Sequence, residues 1–168
     1  MIGVGFIGFG RSARLLHAPL VAAVAELRIA AIATSRPDEV RAAFPDATVH
    51  AGEQSLLADP AVDLVVIATP NQTHAPLGLA ALAAGKHVVI DKPLALDVAE
   101  ADQLVEAAAR NGRLLAAYHN RRWDSDFLTT RRIVDSDTLG RIALAELRWD
   151  RFRPQIKAGW REEAGPGA

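Results

Sequence analysis

Short β-branched runs alternate along this chain with alanine- and leucine-rich stretches of helical spacing. Ile2 to Ile7 is an apolar run ending at Gly8, and Arg11 to Val24 has helical spacing through Leu15, Leu16, Leu20 and Val24. Arg28 to Ala33 reads as a strand, Asp38 to Phe44 as a short helix and Thr48 to His50 as a short third strand. Ser55 to Ala58 makes one helical turn stopped by Pro60. Leu64 to Ala68 is apolar on both faces, as a buried parallel strand requires. Pro76 to Ala84 is helical and ends at Gly85, a residue suited to a left-handed C-terminal position. His87 to Ile90 is a further strand. Asp97 and Glu100 open a helix running to Arg110, closed by Asn111-Gly112, before a last strand from Leu114 to His119.

Strand–helix alternation with short connections predicts an α/β fold, a doubly wound parallel sheet with helices on both faces, over residues 1–120. Residues 121–168 break the rhythm. Ser125 to Val134 predicts a helix, Leu139-Gly140 a turn and Ile142 to Phe152 one long strand, after which Pro154, Gly159, Gly165, Pro166 and Gly167 interrupt everything. One helix and one strand cannot bury Trp149 and Phe152 by themselves. The segment is therefore expected to start an α+β second domain whose remainder is missing. Its unpaired strand leads us to expect self-association or a poorly ordered tail.

Composition narrows the function. Half of the 168 residues are hydrophobic and 23% are charged, which fits a packed, water-soluble core. Basic and acidic residues number 19 and 20, so no excess charge exists to neutralise phosphate chains, and no nucleic-acid partner is expected. No apolar run approaches the ~20 residues that span a bilayer. The absence of cysteine excludes disulfides and thiolate chemistry and fits a reducing, cytoplasmic setting. No metal site is expected.

The candidate chemistry begins at Gly8-Phe9-Gly10-Arg11-Ser12-Ala13, a G-x-G-x-x-A pattern between a strand and a helix. The first glycine permits the tight turn, and the second lets a pyrophosphate approach the backbone. The small Ala13 lets helix and strand pack closely, while the helix start offers free N–H donors. An NAD-selective site would carry a carboxylate at the end of the second strand. This chain has Thr34-Ser35-Arg36 there, a hydroxyl beside a permanent, fork-shaped cation that suits a 2′-phosphate, so NADP is favoured over NAD. Three clusters follow later strands: Thr69-Pro70-Asn71-Gln72-Thr73-His74, then Asp91-Lys92-Pro93, then His119-Asn120-Arg121-Arg122-Trp123. Lysine occurs only at 86, 92 and 157. Lys92 leaves a buried strand and precedes a stiffening proline, so its ammonium can hydrogen-bond a reacting alcohol or carbonyl oxygen and exchange a proton with it.

The order G-x-G-x-x-A, Ala-Thr-Pro-Asn-x-x-His, Ala-Gly-Lys-His-Val (84–88) and Asp-Lys-Pro resembles the Gfo/Idh/MocA family of NAD(P)-dependent oxidoreductases. The likeness continues through residues 119–124 and 149–154. It implies hydride transfer between a nicotinamide and a carbon bearing hydroxyl or carbonyl, commonly on a sugar, inositol or related polyol. It also implies that Lys92 lies beside the nicotinamide and the reacting oxygen. Asn71, His74, Pro93 and Asn120 would line the cofactor pocket, and Trp160-Arg161 resembles a cofactor-contacting pair. Where the family usually has Glu-Lys-Pro, this chain has Asp91, one methylene shorter, which keeps the charge and alters the ribose contacts. The family's general acid/base is a histidine on a helix beyond the matching region, and neither His17 nor His119 stands at that position. The resemblance thus implies the cofactor-binding part of a homo-oligomeric oxidoreductase. The alternative is a non-catalytic dinucleotide-binding module or accessory subunit.

Overall fold

The computed structural model describes residues 1–152, 154 and 155. The chain divides into two compact units, the first over Met1–Tyr118 and the second beginning at His119.

In the first unit the β-branched runs become six strands: β1 (Ile2–Ile7), β2 (Leu27–Ala33), β3 (Thr48–His50), β4 (Leu64–Ile67), β5 (His87–Asp91) and β6 (Leu115–Tyr118). All pair in parallel, in the order β3-β2-β1-β4-β5-β6. Successive strand residues point to opposite faces, and both faces are apolar. Val4, Phe6, Ile32 and Val66 pack one way; Ile7, Ala31, Val65, Ile67 and Ile90 pack the other. The sheet is therefore covered on both sides, as a parallel sheet of such strands must be.

The helices are α1 over residues 11–23, α2 (Pro37–Ala43), α3 (Glu53–Leu57), α4 (His74–Ala83) and α5 (Val98–Asn111). Helix α5 starts where the Asp-x-x-Glu signal puts it. The Asp97 carboxylate accepts from the Glu100 N–H at 2.8 Å, and the Glu100 carboxylate accepts from the Leu96 N–H at 2.9 Å. It ends at Gly112 with φ 60°, a left-handed conformation that costs glycine little.

Helix α1 forms where the spacing predicts it. Its turn Ala13–His17 is π-helical, followed by α-helical Ala18–Ala23. The leucines that give it helical spacing face outward, Leu15 at 60% and Leu20 at 56% exposure. Ala13, His17, Ala18 and Val21 face the sheet instead. At the helix start the reason is steric: the small Ala13 lets helix and strand pack closely.

The loop between α3 and β4 is pinned electrostatically. Asp59 accepts from the Ala61 N–H at 2.8 Å and pairs with His50 Nε2 at 3.0 Å, while the Lys86 ammonium donates to the Asp59 and Val62 carbonyls. The Ala61 N–H first, then His50, hold the Asp59 carboxyl below its ordinary value.

In the second unit a 3₁₀ turn (Asn120–Trp123) leads into α6 (Ser125–Asp135), and Gly140 turns the chain at φ 60°. The expected strand over Ile142 to Phe152 does not form; residues 142–152 have no regular structure. A strand needs a partner for its backbone N–H and C=O groups, and among the described residues of this unit none is offered. Leu147 and Trp149 stay exposed there, with the Arg121 guanidinium 4.7 Å from the Trp149 ring centroid.

Candidate functional site

Parallel strands all end on one edge, and the loops leaving β1, β2, β4 and β5 gather there. The connection that follows β1 runs to β2 on one side, while the chain later enters β4 on β1's other side. Ligands of open α/β sheets bind in the crevice at this reversal.

The loop after β1 is shaped by its two glycines. Gly8 has φ +87°, and a Cβ there would lie 2.8 Å from both the Ala68 carbonyl oxygen and Thr69 Cγ2. The turn and the close passage of the β4 loop thus both demand glycine. Gly10 is different: a Cβ built on it meets no atom within 4 Å. No protein contact within 4 Å requires glycine at that position, and the space beside it is open. Phe9 between them turns inward, edge-on to Phe44 at 5.8 Å. The first helical hydrogen bond runs from the Arg14 N–H to the Gly10 carbonyl at 3.1 Å. Donors at a helix start lack intrahelical partners, and beside an open Gly10 they suit a pyrophosphate. Arg11 is exposed, Ser12 half-buried and Ala13 buried at this mouth.

The loop after β2 lies against the same turn. Thr34 Oγ1 accepts from the Arg36 N–H at 3.1 Å, and Arg36 Nη2 donates to the Phe9 carbonyl at 2.6 Å. Arg36 is therefore bonded to the glycine loop and is no mere decoration of a surface turn. Ser35 is exposed beside it.

The loops after β4 and β5 are tied together. His74 is 1% exposed, with Nδ1 2.7 Å from the Pro93 carbonyl oxygen and Nε2 3.0 Å from that of Thr69. His74 thus stands between the two loops, its ring nitrogens facing the Pro93 and Thr69 carbonyl oxygens. Thr73 Oγ1 donates to the Pro70 carbonyl at 2.7 Å, which leaves Thr69 Oγ1 to donate to Thr73 at 2.6 Å. Asn71 opens the 3₁₀ turn Asn71–Thr73.

Asp91 links the glycine loop to the lysine. One carboxylate oxygen accepts from the Ser12 hydroxyl and the other from the Lys92 N–H at 2.9 Å. The Lys92 side chain is exposed and has no ion pair among the described residues, and the Lys92–Pro93 bond is cis. Asp91 also stands opposite Tyr118 across the β5–β6 ladder. Behind this pair His17 lies 4% exposed, its ring 3.8 Å from that of Tyr118, with Nε2 buried and unpartnered. Burial pushes the His17 pKa below its ordinary value, against the opposing pull of Asp91. Burial first, then the Asp91 charge, raises the Tyr118 phenol, whose hydroxyl donates to the Leu16 carbonyl at 3.0 Å.

Of the other expected residues, Asn120 belongs to the second unit's first turn, and Trp160 and Arg161 lie outside the described residues. Sequence reasoning passed over Arg14 and Glu39, which meet at 3.1 Å beside Arg36. Their signal was spacing: Glu39 follows Arg36 by three positions, and Arg14 follows Gly10 by four. No described group of three or more His, Asp or Glu residues could hold a metal ion, and no described helix is long and apolar enough to cross a membrane.

A parallel sheet in this order, with a glycine loop opening at the strand reversal, defines a dinucleotide-binding Rossmann domain. Comparison with known proteins agrees and goes further. The Gfo/Idh/MocA model, described as an oxidoreductase family with an NAD-binding Rossmann fold, matches residues 2–119. The uncharacterized oxidoreductase YdgJ of Escherichia coli is 47% identical over 99% of this chain and 48% of its own length. The scyllo-inositol 2-dehydrogenase (NADP(+)) IolW of Bacillus subtilis is 41% identical over 98% of this chain and 46% of its own. The solved structure of the YPO2259 protein from Yersinia pestis superposes with a TM-score of 0.91 at 45% identity, covering 96% of this chain and 46% of that one. This chain belongs to the Gfo/Idh/MocA oxidoreductase family. It spans about half the length of the curated relatives it matches.

Proposed function

We propose that this chain is the cofactor-binding part of an NADP-dependent oxidoreductase that moves hydride between nicotinamide and a hydroxyl- or carbonyl-bearing carbon of a polyol. The observation that carries the reading is the glycine loop after β1, which lies at the strand reversal with Gly8 held tightly and the face of Gly10 open. The residues fit the cofactor. Gly8, Gly10, Arg11, Ser12 and Ala13 would hold the pyrophosphate, Ser35 and Arg36 the 2′-phosphate, and Thr69, Pro70, Asn71, Asp91, Lys92, Pro93 and Asn120 the remainder. Trp160 and Arg161 belong to the same proposal by family resemblance. Bound nicotinamide supplies the hydride acceptor or donor. Lys92 donates a hydrogen bond from Nζ to the substrate oxygen and carries a proton to or from it. Asp91 fixes the loop from which Lys92 projects, through its bond to the Lys92 N–H. NADP over NAD rests on Arg36 and on the absence of a carboxylate at the end of β2. A polyol substrate rests on the family and on the printed activity of IolW.

The whole protein is proposed to act in the cytoplasm as a homo-oligomer. The exposed Leu15, Leu20, Leu147 and Trp149 support burial of these faces against further protein. The test is polyol-dependent reduction of NADP with and without Lys92→Ala, beside a binding titration. Binding that survives Lys92→Ala while turnover is lost supports the reading. Turnover retained in the variant contradicts the role given to Lys92.

A further inference from the structure

The glycine-loop mouth carries a charge arrangement that the proposed function leaves unexplained. Glu39, in the first turn of α2, spreads its carboxylate between two arginines. One oxygen lies 3.1 Å from Arg14 Nη1 and the other 3.5 Å from Arg36 Nη1. Arg14 reaches it from α1 and Arg36 from the loop after β2. Arg36 is anchored independently through Nη2 on the Phe9 carbonyl. All three side chains are about half exposed, so a ligand can reach them from solvent. The neighbouring charges do not interfere: Asp38 is paired with Arg41 at 3.0 Å, and Arg11 has no ion pair among the described residues.

We infer that Glu39 is a specificity-determining residue that occupies, with its own carboxylate, the seat of the cofactor's 2′-phosphate, and that Arg14 is the second arginine of that seat. The inference rests on the reading of this chain as an NADP-binding domain and names residues that reading does not use. A carboxylate and a phosphate present similar oxygen pairs to a guanidinium. Two guanidiniums converging on one carboxylate can therefore converge on a phosphate in its place. The exchange is inexpensive, because half-exposed ion pairs contribute little to stability. A 2′-phosphate brings nearly two negative charges, gains both arginines and repels Glu39, which must swing away. Without ligand, Glu39 keeps two like charges together. With NAD, which has a ribose hydroxyl at this point, the carboxylate stays where it is. Glu39 thus lowers the seat's affinity for a phosphate-bearing cofactor and leaves that for NAD unchanged, which tempers the preference that Arg14 and Arg36 create.

The test titrates NADP+, NAD+ and adenosine 2′,5′-bisphosphate against the folded protein and its Glu39→Gln, Arg14→Ala and Arg36→Ala variants, with calorimetric dissociation constants as the readout. Glu39→Gln is expected to tighten NADP+ and the bisphosphate about fivefold and leave NAD+ unchanged; the factor corresponds to one partly exposed charge contact. Arg14→Ala is expected to weaken the same two ligands about fivefold, again without changing NAD+. Selective weakening in Arg36→Ala but not in Arg14→Ala, or looser NADP+ binding in Glu39→Gln, overturns the inference and leaves the proposed function standing. Equal affinity for NAD+ and NADP+ in every variant overturns both the inference and the NADP assignment.

Discussion

Single side chains at this site divide between those that face a ligand and those that hold the loops. His17 is of the second kind, and its chemistry makes it measurable. Folding lowers its pKa below the ordinary value of about 6.5, so the unfolded chain binds the proton more readily. Stability contributed by the neutral ring is complete above about pH 6.5 and is lost as pH falls toward the folded value. Asp59, lowered from 3.8, works in a separate window: its contribution is present above that value and is lost as pH falls through the folded one. Denaturant melts at pH 7 and pH 5.5 should therefore show wild type losing stability relative to His17→Phe. The phenyl ring can keep the tilted contact with Tyr118 and the edge contact with Phe6, and has no nitrogen to leave unpartnered. A parallel loss in both proteins would remove His17 as the cause. The residue scale is also where the sequence was least legible. Ser12 and Asp91 stand 79 positions apart, and His74 meets Pro93 across 19. Motif order pointed to each loop, but only folding reveals that His74 sits between the Pro93 and Thr69 carbonyls.

At the scale of elements, local signals were read well where local chemistry decides. The start of α5 was legible because Asp97 and Glu100 satisfy N–H groups within one turn. Asp97→Ala should cost about 1 kcal/mol in chemical denaturation, the usual worth of such a cap; no change would mean that packing alone sets this terminus. Strand β4 was legible because a run apolar on both faces fits only the interior of a parallel sheet. Helix α1 forms over the stretch its spacing predicts, with Ala13, His17, Ala18 and Val21 toward the sheet and Leu15 and Leu20 outward. One reading failed, where distant partners decide. Residues 142–152 form no strand because β-propensity supplies no hydrogen-bond partner. The glycine loop is the firmest element. Gly8→Ala combines a positive φ with a 2.8 Å collision against backbone. It should destabilise the fold by about 1–3 kcal/mol, measurable as a lowered midpoint of thermal unfolding.

For the whole molecule, the alternation of elements was enough to anticipate a doubly wound sheet, and the motif order was enough to anticipate the family. The strand order places the glycine loop, Arg36, Thr69 and Lys92 on one edge of the sheet, which is what makes a single extended ligand plausible as their common partner. The central claim is that Gly10 is glycine for the sake of that ligand. It is tested most directly by titrating NADPH, followed by its fluorescence, into wild type and Gly10→Ala. The methyl group meets no protein atom within 4 Å, so the melting curve should be unchanged. Binding should weaken about tenfold or more as the backbone loses its close approach to the pyrophosphate. Equal affinity in the two proteins, or a flat titration of folded wild type, would contradict the account.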